Sequence, residues 1–191
     1  MELVTDPPKA FARLQEKCKE IGFTMPSDIY IGTLLKSLIA SKPNARVLEL
    51  GTGISLSLAW MIGGLDQDSH LISIDNDPML TNIAKDFFGD DPRLSLLCVE
   101  GAEWIKSYSG DGFDLIFADA WPGKYSELDE TLAFLNVGGF YVIDDMNPQS
   151  NWPSGHAEKA NGLIQYLEAR TDLTMTKMNW STGVILCTKK H

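Results

Sequence analysis

The sequence predicts an α/β fold: a doubly wound, mostly parallel seven-stranded sheet, closed by a C-terminal antiparallel hairpin and preceded by N-terminal helices. Three observations predict it. Five short apolar runs alternate with helical stretches between Arg46 and Asp144, the pattern of a parallel sheet buried on both faces and wound by right-handed crossovers. A glycine pair, Gly51-x-Gly53, directly follows the first run and opens a helix. The last two runs, Leu173 to Met178 and Gly183 to Lys189, are separated only by Asn179-Trp180-Ser181-Thr182, which reads as a hairpin turn.

The elements follow in order. From Pro8 to Ile21, the residues Phe11, Leu14, Cys18 and Ile21 share one side of a helix that Gly22 stops, a packing or lid helix whose amphipathic face is also available to a second subunit in a homodimer. Ser27 is the expected N-cap of a second helix, whose stripe is Ile31, Leu34, Leu35, Leu38 and Ile39, and the turn Ser41-Lys42-Pro43-Asn44 ends it. Residues 1–42 are thus N-terminal helices and 45–189 the sheet-forming core of one domain. Within the core the expected strands are Arg46 to Leu50, His70 to Asp75, Leu94 to Val99, Phe113 to Ala118 and Gly139 to Asp144. The expected helices are Leu56 to Ile62, Pro78 to Phe87 with proline in its first turn, Ala102 to Tyr108, Ser126 to Phe134 and His156 to Ala169. No linker, repeat or low-complexity segment divides the 191 residues.

Composition narrows the partners. A formal net charge of −10 repels phosphate backbones and anionic lipid, so a small molecule is expected as partner in preference to nucleic acid or a membrane. The start of the chain, Met1 to Asp6, is acidic without an apolar signal core, and no apolar stretch reaches spanning length. The three cysteines, Cys18, Cys98 and Cys187, are scattered and odd in number, which reads as buried free thiols in a reducing, cytoplasmic setting.

In open parallel sheets, ligands bind beyond the carboxyl ends of the strands, and here every such end carries a carboxylate. The first gives Glu49-Leu50-Gly51-Thr52-Gly53-Ile54-Ser55, a strand, tight turn and helix that suit a nucleotide-like ligand. Glycine lets the backbone approach the ligand, and the helix start offers free N–H groups. Leu56 stands where the third glycine of the dinucleotide fingerprint belongs, so nicotinamide and flavin are not the first choice. Asp75, followed by Asn76, is placed to accept hydrogen bonds from the two hydroxyls of a ribose. Gly101-Ala102 offers a flat backbone for a base, and Asp119, Asp144 and Asp145 end the fourth and fifth strands.

Glu49-Leu50-Gly51-Thr52-Gly53, Asp75, Gly101-Ala102 and Phe113-Asp114-Leu115-Ile116-Phe117-Ala118-Asp119, with the C-terminal hairpin, resemble the class I S-adenosylmethionine-dependent methyltransferases over about Ile29 to Thr188. Asp119-Ala120-Trp121 with Tyr125, and Asp144-Asp145, resemble the metal-dependent catechol and caffeoyl-CoA O-methyltransferases within that Rossmann-like class. The resemblance implies methyl transfer from S-adenosylmethionine to an oxygen of a small molecule. Glu49, Gly51, Thr52, Gly53 and Ser55 would serve the methionine portion, Asp75 and Asn76 the ribose, Gly101 and Ala102 the adenine, and Asp119 the acceptor side of the cofactor site. It also implies a cation, magnesium or another divalent metal, held by Asp119, Asp144 and Asp145. Physically, three carboxylates so close repel one another unless one is protonated or a cation sits between them.

Two positions depart from the family pattern. Asp145 replaces the usual asparagine, and Pro122 stands at the position of the family's catalytic lysine, three residues after Asp119. Lys124, beyond Pro122-Gly123, and His156, beyond the polar loop 147–155, are the alternative candidates for the catalytic base, alongside Asp119. Trp121 and Trp152 are candidates for the wall of a planar acceptor's site. Other readings of the same pattern are a metal-independent N- or C-methyltransferase, an aminopropyltransferase-like enzyme and a non-catalytic cofactor-binding protein.

Overall fold

The computed structural model describes residues 6–150, 152–180 and 182–191; the expectations on Met1 to Thr5, on Asn151 in the polar loop and on Ser181 in the hairpin turn fall outside them. Seven strands form one sheet in the order β3-β2-β1-β4-β5-β7-β6. They are β1 (Arg46–Leu50), β2 (His70–Asp75), β3 (Leu94–Cys98), β4 (Phe113–Ala118), β5 (Leu135–Ile143), β6 (Leu173–Met178) and β7 (Val184–Lys189). The pairings among β1 to β5 are parallel, and β7 runs antiparallel between β5 and β6. The order reverses between β1 and β4, which are neighbours in the sheet but separated by two strands, β2 and β3, in the chain. That reversal opens a crevice above their carboxyl ends.

Among the described residues seven helices cover the sheet: α1 (Phe11–Glu20), α2 (Ile29–Ala40), α3 (Leu56–Ile62), α4 (Pro78–Phe88), α5 (Gly101–Ser107), α6 (Leu128–Ala133) and α7 (His156–Ala169). Side chains alternate along each strand, so successive residues serve opposite cores. On one face, Val47, Leu115 and Phe117 pack with Ile31 and Leu35 of α2 and with Leu58 and Met61 of α3. Leu48, Ile116 and Ala118 meet Ile105, Leu132 and Leu163 of α5, α6 and α7 on the other. Burial of both faces explains why the central strands read as continuous apolar runs.

The structure corrects several details. Asp28, not Ser27, caps α2, its carboxylate accepting the N–H groups of Tyr30 at 2.8 Å and Ile31 at 3.1 Å. Strand β5 begins at Leu135, before the expected Gly139, because a register shift lets Phe113 pair with Leu135 while Leu115 pairs with Phe140. Helix α6 starts later than Ser126, since Pro122 to Ser126 form a tight loop closed by Gly123 N–H donating to Ser126 O at 2.7 Å. The α1 helix is a packing helix: Leu14 and Cys18 are buried against Ile54, Leu56 and Ile83 of the same chain. Cys98 is exposed at the end of the edge strand β3, whereas Cys18 and Cys187 are buried. Among the described residues, no helix is long and apolar enough to cross a membrane.

Candidate active site

The glycine turn after β1 is fastened to both neighbouring strands. The N–H groups of Gly51 and Thr52 both donate to Ile74 O of β2, at 2.9 and 3.2 Å, and Asp119 N–H donates to Leu50 O at 2.9 Å. Gly51 lies at φ +100°, and a β-carbon there would stand 2.9 Å from the backbone oxygen of Asp119. Only glycine satisfies both demands. Gly53 N–H then donates to Asp75 Oδ2 at 2.9 Å, and Asp77 N–H donates to Oδ1 of the same carboxylate at 2.9 Å. Asp75 is thereby fixed in orientation while each oxygen keeps a lone pair for a ligand.

These residues line a cavity of about 500 Å³, to which Asn76, Gly101 and Asp119 also contribute. Asn76 is held by Glu100 through a 3.0 Å hydrogen bond. A β-carbon at Gly101 would meet the Pro122 ring at 3.2 Å, so this glycine lets the α5 terminus approach the loop after β4. Four residues expected to touch the cofactor stand elsewhere. Glu49, Thr52 and Ser55 are buried beneath the turn, and Ala102 lies in α5 outside the cavity lining. Glu49 accepts Ser57 Oγ at 2.6 Å and Ser73 Oγ at 2.5 Å, and Ser73 also bonds Thr52 at 2.6 Å. Burial pushes the Glu49 carboxyl up to about 7, against the pull of those two serine hydrogen bonds. It faces the serines behind the turn, away from the cavity.

A second cavity of about 470 Å³ adjoins the first, and Asp119, Trp121 and Asp145 line both. Lys124 and His156 belong to the second. Gly123, at φ +81°, turns the chain so that Lys124 points inward. The lysine is only 5% exposed, and its Nζ donates to Asp144 O at 2.6 Å. Asp144 is buried and its Oδ1 accepts Thr182 Oγ1 and Asp145 N–H, both at 2.8 Å. Asp145 sits in the left-handed region at φ +57°, which asparagine and aspartate tolerate best, and Oδ1 accepts Gln149 Nε2 at 2.8 Å. Asp119 accepts Ser27 Oγ at 3.4 Å.

Charge and burial act together here. Burial holds the Asp119 carboxyl well above the ordinary carboxylate range, the negative charges of Asp144 and Asp145 raise it further, and Lys124 works against them. Asp144 is raised to about 6, by burial first and then by Asp145. Burial lowers Lys124, while the three aspartates oppose that shift.

His156 opens α7 and faces an aromatic enclosure. Its ring centroid is 4.4 Å from Trp152, 5.2 Å from Tyr125 and 6.0 Å from Trp121. Nε2 and the Tyr125 hydroxyl are 3.2 Å apart, and the buried Nδ1 has no partner among the described residues. Burial, reinforced by the charge of Lys124, lowers its pKa and favours the neutral ring.

A family model described as O-methyltransferase matches residues 4–187, nearly the whole chain. The chain belongs to the O-methyltransferase family. A Mycobacterium ulcerans relative named as a candidate O-methyltransferase is 31% identical over 128 residues, which are 64% of this chain and 56% of the relative. One from Mycolicibacterium vanbaalenii is 30% identical over 138 residues, covering 69% of this chain and 60% of the relative. The match therefore spans little more than half the length of these curated relatives. The O-methyltransferase TomG from Streptomyces achromogenes, solved with S-adenosylmethionine, shares the fold with a TM-score of 0.86 at 19% identity, covering 99% of this chain and 93% of that one. A Bacillus cereus O-methyltransferase solved with S-adenosylhomocysteine gives 0.81 at 16% identity, covering 100% and 94%.

The divalent cation expected from the resemblance does not fit the residues of this site. Among the described residues, no three acidic, histidine or cysteine side chains converge closely enough to hold a metal ion. Asp144 Oδ1 is already taken by two donors, and the positive charge near the three aspartates is the Lys124 ammonium. Sequence reasoning missed Ser27, Gln149 and Thr182 as partners of the three aspartates. Ser27 resembled a helix cap, and Thr182 lies in a hairpin turn whose approach to β5 depends on the sheet order.

Proposed function

We propose that this chain transfers a methyl group from S-adenosylmethionine to an oxygen of a small molecule. The observation that carries the reading is the position of Asp119 on the wall shared by two cavities, one built around Asp75 and the glycine turn, the other around Lys124 and His156. The first suits the cofactor: Asp75 would bind the ribose hydroxyls, Gly51 and Gly53 would let the methionine portion lie against backbone, and Gly101 would flank the adenine. S-adenosylmethionine would supply a methyl group on a sulfonium, which leaves as a neutral thioether when the acceptor oxygen displaces it in line.

The chain's own residues would orient the acceptor and receive its proton. Asp119, on the wall shared by the two cavities, takes that proton as the carbon–oxygen bond forms. Lys124 offers positive charge to the oxygen that becomes negative, from a buried position where such charge acts strongly. Tyr125 and His156, bonded at 3.2 Å on the wall of the second cavity, receive the far end of the acceptor, with Trp152 and Trp121 enclosing a planar group. Most of the rate enhancement then comes from holding donor and acceptor in line. The unpaired thiols suit a cytoplasmic setting.

The test is formation of S-adenosylhomocysteine from S-adenosylmethionine with a panel of hydroxylated small molecules, together with calorimetric titration by S-adenosylhomocysteine. Binding with acceptor-dependent turnover supports the reading. Absence of cofactor binding refutes it, and binding without turnover of any acceptor favours a non-catalytic cofactor-binding protein.

A further inference from the structure

We propose that Lys124 is the built-in cation of the acceptor site, standing in for a divalent metal, so that this chain works without one. The inference deepens the methyltransferase reading and rests on it for its catalytic consequence. Its structural part rests on the placement of one side chain. The loop after β4 runs Pro122-Gly123-Lys124, and it is locked in three ways: Gly123 adopts φ +81°, Tyr141 donates its hydroxyl to Gly123 O, and Lys124 N–H donates to Trp121 O at 3.1 Å. A β-carbon at Gly123 would come 2.4 Å from Leu50 Cδ1, so the loop is pressed onto the end of β1. This packing delivers the lysine from beneath the acceptor cavity instead of from its rim.

Once there, the ammonium is anchored by a single 2.6 Å bond to Asp144 O, and its side chain lines the cavity. An ammonium has three donors, so two are left for the contents of the cavity. Asp119, Asp144 and Asp145 line the same cavity, so the ammonium and the three carboxyl groups face one space. A hard divalent ion would need six or more oxygen ligands from the same region, whereas Asp144 and Asp145 spend oxygens on Thr182, Gln149 and a backbone N–H. The lysine supplies a point charge without those demands. A divalent metal holds an acceptor best through two adjacent oxygens, whereas either remaining N–H of the ammonium can pair with one oxygen alone. A single hydroxyl on the acceptor is therefore sufficient.

Manganese uptake tests the placement directly, because it is read without cofactor or acceptor. Electron paramagnetic resonance titration of the purified protein with Mn²⁺ should show no specific uptake up to millimolar metal. The three carboxylates do not converge on a metal while the ammonium fills the space between them and Asp144 O; with that space freed in Lys124→Ala they should close on an ion, giving one site with a dissociation constant below about 1 mM, in the range of weak oxygen-ligand sites. Asp144→Asn added to Lys124→Ala should abolish that gain. Lys124→Gln, which fills the same space without charge, provides the comparison should the alanine variant unfold, as followed by thermal melting. Specific Mn²⁺ uptake by the unaltered protein that is lost in Asp144→Asn would overturn the proposal. So would failure of both folded lysine variants to gain a site. A chain that shows the expected manganese pattern but never forms S-adenosylhomocysteine would refute the methyltransferase reading and leave the placement of the cation intact. Where turnover is found, an excess of chelator should change its rate by less than about twofold, since no metal takes part in the oxyanion's stabilisation; loss of turnover to the chelator would overturn the proposal.

Discussion

A β-carbon at Gly51 would stand 2.9 Å from the backbone oxygen of Asp119, so the turn that faces the cofactor cavity and the carboxylate that faces both cavities are in backbone contact. Their relative position is set by the neighbouring strands β1 and β4, with Asp119 N–H bonded to Leu50 O. Gly51→Ala must relieve that overlap and also adopt φ +100°. It is expected to destabilise the fold by about 1–3 kcal/mol, the range for strained backbone, and to weaken S-adenosylhomocysteine binding. Thermal melting and calorimetry on the variant check both, and a variant with native stability and affinity would show that the turn is slack.

Asp75 tests the cofactor cavity from the other side. Asp75→Ala removes the acceptor for Gly53 N–H and Asp77 N–H as well as the two oxygens assigned to the ribose. Affinity for S-adenosylhomocysteine should fall by about 2–3 kcal/mol, the scale of charge-assisted hydrogen bonds. Asp75→Asn should fall by less, because its amide still accepts one bond. Unchanged affinity in both variants would remove Asp75 from the ribose role.

What was legible in the sequence, and what was not, divides along physical lines. The apolar runs from Arg46 to Ala118 read as the central strands because burial on both faces leaves few polar positions, among them Glu49 and Asp114. The hairpin from Leu173 to Lys189 was legible because no helix fits between its strands. Asp75 and Gly51 were legible as cavity residues because strand ends are where such cavities open. Glu49 was misplaced because a strand-end carboxylate looks the same whether it faces the ligand or, as here, the serines behind the turn. Lys124 reads in the sequence as a base candidate, but its position among the aspartates depends on the Gly123 turn and on Leu50 of β1, a tertiary contact with no local signature.

The buried glutamate makes stability depend on pH. Between pH 4.5 and about 7 the folded chain keeps a proton on Glu49 that the unfolded chain releases, so this residue's contribution to stability falls as pH rises across that window and levels off above it. Glu49→Gln keeps hydrogen-bonding groups at the site and removes the ionisation. Relative to the unaltered protein, the variant should gain stability at about pH 8 by on the order of 3 kcal/mol compared with about pH 4.5. Denaturant unfolding at the two pH values measures it, and a stability difference that does not vary with pH would show that Glu49 does not titrate in this range.

Asp119→Asn separates chemistry from cofactor binding. The amide keeps the shape of the shared wall and the contact with Ser27, but it cannot take a proton at neutral pH. Turnover should fall by about 10²–10⁴, the usual contribution of a general base, while S-adenosylhomocysteine affinity stays within about threefold, since the ribose and methionine contacts are untouched. Retained turnover would pass the role of proton acceptor to another group in the acceptor cavity.

His156→Phe asks what the aromatic enclosure does. Phenylalanine preserves the packing against Trp152 and Tyr125, but it removes both the 3.2 Å bond to the Tyr125 hydroxyl and the buried Nδ1. If the ring binds the far end of the acceptor, the acceptor KM should rise by about tenfold, the cost of one to two lost hydrogen bonds, with kcat held. If instead the ring takes the acceptor's proton, kcat itself should collapse and the KM should change little, because the proton moves only in the transition state. The pH profile distinguishes the two again: burial lowers the His156 pKa, so a binding ring stays neutral through about pH 7 to 8 and leaves the profile of kcat unchanged on substitution. A catalytic ring would take the acidic limb of that profile away with it, since protonating the imidazole is what would switch it off.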